Sequence, residues 1–180
     1  MAIKVMADSG GTVTYSAAEI GSAFNTFASG NDYIIEGIGG ELELTYSSTS
    51  LNVSIASGRA MVCGRLVTID SVESLAIGSG LTDGVYVVLR VDMSMPLGSE
   101  GFFTYVTQAQ IKEEDINGSG VQHDLILGFI KSDTSGITSY NDQRIIQGAT
   151  GGSKFRITKY DDETLLAEPL VFEIVVKKES

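Results

Sequence analysis

Chemistry in this 180-residue chain can draw on very few side chains. His123 is its single histidine and Cys63 its single cysteine. A hydrolytic triad on His123 is formally available with Asp124 or another acid, but nothing selects a serine among many. A zinc centre takes three or four soft or imidazole ligands, and His123 plus Cys63 supply two. The acidic clusters Glu113-Glu114-Asp115 and Asp161-Asp162-Glu163 carry oxygens suited to Ca²⁺, yet no D-x-D-x-D-G…E loop accompanies them. They are expected to be solvated turn acids. The steps Gly58-Arg59 and Gly64-Arg65 suggest a phosphate cradle, but each lies between strand signals and not at a helix N-terminus. No G-x-S-x-G elbow and no Gly-Lys of a phosphate-binding loop is present. The nearest approach to G-x-G-x-x-G is Gly78-Ser79-Gly80 with Gly84, one residue too far along and ahead of a strand. The expectation is a chain with no catalytic, cofactor or metal residue, and not an enzyme.

The elements that must position any site are short strands. Glycine is abundant at 21 residues, proline scarce at 2, and Gly, Ser and Thr separate short β-branched runs. Strand candidates are 2–6, 33–38, 41–46, 51–55, 85–91, 102–111, 124–131 and 137–146. VYVVLRV at 85–91 is apolar almost throughout and follows Asp83-Gly84, which predicts a central strand. Residues 112–120 (KEEDINGSG) read as a polar loop. The one helical candidate begins at Ser16, with Glu19 completing a capping box and Ile20, Phe24 and Phe27 at helical spacing. Gly30-Asn31 should end it within three turns. Turn signals every 8–12 residues predict an all-β fold, a mainly antiparallel sandwich or barrel-like domain with one short N-terminal helix. With one helix on offer, a parallel α/β sheet is not expected.

Residues 148–153 (GATGGS) have linker composition. This divides the chain into 1–147, the β domain with its N-terminal strand and helix, and 148–180, a linker plus C-terminal β-hairpin arm. In the arm Phe155 and Ile157 alternate with Lys154, Arg156 and Thr158, and Phe172, Ile174 and Val176 alternate with Val171, Glu173 and Val175. A two-stranded hairpin is marginal alone, so the arm is expected to dock on the main domain or on another subunit.

A two-residue loop at Gly64-Arg65, with Gly64 first, fits a type II′ hairpin. Cys63 would then face Leu66, and Ala60, Val62, Val67 and Ile69 would form one apolar face. Met61, Cys63, Leu66 and Thr68 would form the other, which is also largely apolar and calls for a cover. Gly58-Arg59 would be a bend before this hairpin.

The net charge of −11, from 12 basic and 23 acidic residues, disfavours nucleic acid and acidic membranes as partners. A disulfide framework cannot form within one chain that has one cysteine. No apolar run approaches the roughly 18 residues needed for a transmembrane helix, and MAIKVMADSG shows no secretory h-region. A chain made in a cytoplasm and not exported by the standard route is expected.

The stretch LNVSIASGRAMVCGRLVTI resembles a pattern of bacteriophage tail and baseplate proteins: strand, Ser-Gly-Arg-Ala, short apolar strand, Gly and a following strand. DGVYVVLRVD resembles the next central strand. DLILGFIKSDTSGITSYNDQR resembles a strand and turn closed by Asp-x-Arg, here Asp142-Gln143-Arg144. The resemblance covers roughly 30–147. It implies a β-rich, often trimeric virion component linking tail to receptor-binding fibres, assembled in the host cytoplasm. The short arm in place of a long fibre suggests an adaptor or short baseplate subunit. Interface candidates are Met61, Cys63, Leu66, Phe155, Ile157, Phe172, Ile174 and Val176. The partners implied are other tail subunits and further copies of the chain. A carbohydrate-binding receptor module, with a host cell-surface glycan as partner, is the alternative, weakened by the absence of Trp.

Overall fold

The computed structural model describes residues 16–27, 30–96, 98–147, 156–159 and 173–176. Helix α1 (Ala17–Phe27) is followed by β1 (Tyr33–Ile35), β2 (Leu44–Tyr46), β3 (Asn52–Ile55), β4 (Gly58–Val62), β5 (Arg65–Ile69) and β6 (Glu73–Ala76). Then come β7 (Val85–Asp92), β8 (Gly101–Val106), a 3₁₀ turn at Gln108–Gln110, β9 (Gln122–Ser132), β10 (Ile137–Asp142) and β11 (Ile146–Gln147). Strands β12 (Arg156–Lys159) and β13 (Glu173–Val176) form in the C-terminal segment.

Among the described residues the chain is therefore all-β with one short α-helix. The sheets run β11-β1-β4-β5, β10-β9-β7-β8 and β2-β3-β6. Within these three, the pairings are antiparallel except β1 with β11. One apolar cluster joins them: Ile34 of β1, Val62 of β4, Ile55 of β3, Leu89 of β7, Leu127 of β9 and Ile137 of β10 all belong to it. This shared core gives the domain its sandwich-like construction.

Strand β7 is the centre of its sheet, between β9 and β8, and is largely buried along its whole length. That burial explains its uninterrupted apolar sequence. Val87 pairs with Gly128 but Val88 with Ile126, so Leu127 is the extra residue of a bulge on β9. At the head of α1 the capping box forms: the Glu19 amide donates to Ser16 Oγ (3.2 Å) and the Ser16 amide to Glu19 Oε2 (2.8 Å). Beyond the helix, Gly30 takes φ +72° and donates to the Asn25 carbonyl (2.8 Å).

Several expectations are corrected. The hairpin loop is Cys63-Gly64, not Gly64-Arg65: both residues have positive φ (48° and 73°), which makes a type I′ turn. Val62 then pairs with Arg65, Met61 with Leu66 and Ala60 with Val67. The register moves by an even step, so Ala60, Val62, Val67 and Ile69 still share the inward face. The bend lies at 56–57, and Gly58 already belongs to β4. Residues 41–46 are extended only from Leu44, because Glu41 and Leu42 occupy left-handed conformations (φ 55° and 52°) that bury Leu42 in the core. The strand read over 102–111 gives way to the 3₁₀ turn after Val106. Strand β6, which completes the β2-β3-β6 sheet, is not among the strand candidates. The C-terminal strands pair with each other in parallel, Ile157 with Ile174 and Lys159 with Val176, and not as an antiparallel hairpin. Parallel strands need a crossover connection longer than a tight turn. The strand read at 2–6, the linker 148–153, Phe155, Phe172 and Asp161-Asp162-Glu163 lie outside the described residues.

The Asp142-Gln143-Arg144 step proves to be a latch. The Arg144 guanidinium donates to both Asp142 carboxylate oxygens (2.7–3.1 Å) and, through Nη1, to the Glu41 carbonyl (2.9 Å). It ties the end of β10 to the turn before β2. The pairing with Arg144, which outweighs the cost of burial, holds the Asp142 carboxyl below its ordinary range.

Candidate functional site

The turn at Cys63 brings three chemically capable side chains together. Left-handed backbone is costly for a cysteine, about 1–2 kcal/mol, and tertiary hydrogen bonds offset it. The Cys63 amide donates to Asp32 Oδ1 (2.7 Å), and Asn117 Nδ2 donates to the Cys63 carbonyl (2.6 Å). Asp32 lies in the segment entering β1, Asn117 in the polar loop between β8 and β9, and His123 near the start of β9. His123 Nε2 meets Asp32 Oδ2 at 2.6 Å, and Nδ1 meets the Glu114 carbonyl at 2.8 Å. One ligating atom from each of Asp32, Cys63 and His123 lies within 4.8 Å of the other two. Cys63 is 6% exposed, while the Asp32 and His123 side chains are partly open.

Both His123 ring nitrogens face oxygen acceptors, so the ring is held as an imidazolium. Burial lowers its pKa, but the hydrogen bonds it donates to Asp32, Cys63 and the Glu114 carbonyl outweigh burial and raise it to about 11. An imidazolium has no lone pair with which to take a thiol proton. The arrangement is therefore a charged clamp joining the segment before β1, the β4–β5 turn and the start of β9 rather than a nucleophile with its base.

The neighbouring acid, Asp124, faces a different partner. Its buried carboxylate accepts from Arg90 Nε and Nη2 (both 2.7 Å) and from the Lys112 amide (2.9 Å). His123 thus finds its acid in Asp32, not in Asp124. In the 113–115 cluster, Glu114 Oε2 accepts from the Val121 and Gln122 amides (2.6 and 3.0 Å) and Asp115 Oδ1 from the Asn117 amide (3.0 Å). These acids close the loop through the backbone. The two arginines of the suspected cradle diverge: Arg65 reaches the Ile116 carbonyl and Asn117 Oδ1, whereas Arg59 lies on the outward face of β4.

The outer face of the hairpin is the second feature. Helix α1 lies against its turn end so closely that a Cβ on Gly64 would strike the Gly21 carbonyl and the Asn25 amide. Between α1, β4–β5 and the end of β7 a groove of about 680 Å³ remains, lined by Ile20, Phe24, Met61, Leu66 and Met93 among others. Leu66 is 55% exposed and Phe24 52%. Of the interface candidates, Met61 and Leu66 line this groove. Cys63 does not share their exposed face, because as the first turn residue it turns inward to Asp32 and His123. Ile157, Ile174 and Val176 lie on the paired C-terminal strands, away in sequence from both features. Asp32 is the site residue without a sequence signal: it stands 31 positions before Cys63 and 91 before His123.

No protein-family model matches the chain, and no curated protein matches it. Among the described residues, no helix is long and apolar enough to cross a membrane.

Proposed function

We propose that this chain is a structural subunit of a bacteriophage tail or baseplate, an oligomeric adaptor that docks fibres or receptor-binding proteins. The observation that carries the reading is the apolar groove between α1 and the outer face of the β4–β5 hairpin. The hairpin's own helix covers only part of that face, and Leu66 remains more than half exposed. Burying a leucine fully stabilises by roughly 1.5–3 kcal/mol, so Leu66, Ile20 and Met93 together favour an adjoining subunit over water. Obligate interfaces have this character of a core cut in half. The order of strand, Ser-Gly-Arg-Ala, apolar strand and closing Asp-x-Arg supports a tail protein as the class. The trimer and the contact between the 154–176 arm and a neighbour belong to the same reading, as does residence in the virion tail after assembly in the host cytoplasm. Charge of −11 supports protein partners over nucleic acid or an acidic membrane.

Leu66→Asp tests it. Sedimentation should show the variant as smaller species than wild type at equal concentration, with an unchanged circular dichroism spectrum. Equal sedimentation of the two would remove the groove from the assembly.

A further inference from the structure

Three features lie outside the assembly reading: the Asp32–Cys63–His123 node, the buried Arg90–Asp124 pair and the Asp142–Arg144 latch. The two ion pairs are saturated by each other and by backbone groups. The node is different in kind, since it joins a thiol, an imidazole and a carboxylate, the ligand types that zinc takes.

We propose that Asp32, Cys63 and His123 form a three-ligand site for a borderline-soft divalent cation, Zn²⁺, with solvent in the fourth position. The geometry carries this. In each residue a second atom is already fixed by a partner outside the triad or by a fellow ligand's backbone. His123 is oriented through Nδ1 by the Glu114 carbonyl (2.8 Å), which leaves Nε2 directed at the node. Asp32 is held through Oδ1 by the Cys63 amide (2.7 Å), which leaves Oδ2 there. Cys63 is held at its carbonyl by Asn117 (2.6 Å), which fixes the turn from which its sulfur projects. Fixing a ligand through its non-ligating atom is the usual support of a metal site and sets its affinity.

The ligating atoms lie within 4.8 Å of one another. A tetrahedral zinc ion with bonds of 2.0–2.1 Å would set Nε2 and Oδ2 about 3.3 Å apart. The present 2.6 Å separation therefore opens by about 0.7 Å as the metal replaces the shared proton. Cys63 also gives up its thiol proton, so a thiolate, a carboxylate and a neutral imidazole balance the divalent charge. The partly open Asp32 and His123 side chains supply the entry path. The bound ion would staple the segment before β1, the β4–β5 turn and the start of β9.

The test uses the full chain, reduced and stripped with a chelator, then titrated with Co²⁺ alone. A thiolate-to-cobalt charge-transfer band should grow to one equivalent and be abolished by one equivalent of Zn²⁺. Cys63→Ser should lose the band, and Asn117→Ala, which touches no ligating atom, should weaken binding roughly tenfold or more. Absence of the band in wild type at millimolar Co²⁺ overturns the proposal, as does its persistence in Cys63→Ser. Because the wild-type spectrum needs no variant to fold, the proposal stands or falls on it.

Discussion

Replacing Asp32 by Asn in the metal-free chain should destabilise it in a pH-dependent way whose sign follows from the His123 clamp. The change keeps the side-chain shape but removes the charge facing Nε2 at 2.6 Å. His123 has its folded-state pKa raised from an ordinary 6.5 to about 11. A raised pKa means the folded state holds the proton more tightly, so the stabilisation is fully present below about 6.5 and fades as pH climbs through about 11. A hydrogen bond between charged groups contributes roughly 1.5–3 kcal/mol. Partial exposure of both side chains screens this pair, which places it near about 2 kcal/mol. In urea, with a slope near about 2 kcal/mol/M, the variant's midpoint should fall by about 1 M at pH 6. At about 1.4 kcal/mol per pKa unit, that loss lowers the folded His123 pKa by about 1.5 units, so the gap should hold to about pH 9 and then close as pH passes about 11. Chelator and reductant keep metal and oxidation out of the comparison. A gap that persists undiminished beyond pH 11, or is widest at high pH, would refute the clamp.

The packing of α1 on the hairpin makes Gly64→Ala costly: left-handed backbone and collision with the helix backbone together should lower stability by about 3 kcal/mol in thermal unfolding. Gly80→Ala, at nearly the same φ (+72°) but with open space around it, should cost only about 1 kcal/mol. Asp124→Asn should cost about 3–5 kcal/mol in denaturant unfolding, since it strands the Arg90 guanidinium beside a neutral amide.

Much of the scaffold was legible in local pattern. Ser16 and Glu19 form their capping box because both partners lie within one turn. The apolar run at 85–91 becomes the central strand because only two-sided burial uses such a sequence. The inward face of Ala60, Val62, Val67 and Ile69 survived a shifted turn, since period-two alternation tolerates an even slip. What local pattern could not supply was long-range. Cysteine is an unusual residue for left-handed backbone, and Cys63 adopts it through partners 31 and 54 positions away. The same distance hid Asp32 as the acid for His123, while Asp124, adjacent in sequence, points to the other face of β9 and pairs with Arg90. The outer hairpin face reads as calling for a cover, but its division between α1 and an open groove depends on how a helix about 40 residues upstream packs, as Gly21 against Arg65 shows.

The central claim, an assembling subunit whose groove is closed by a neighbour, is tested most directly by the native mass of the full-length chain at micromolar concentration. An oligomer is predicted, with a trimer at three times the 19.1 kDa chain mass. A single species at 19.1 kDa, with Leu66 open to water, would contradict it.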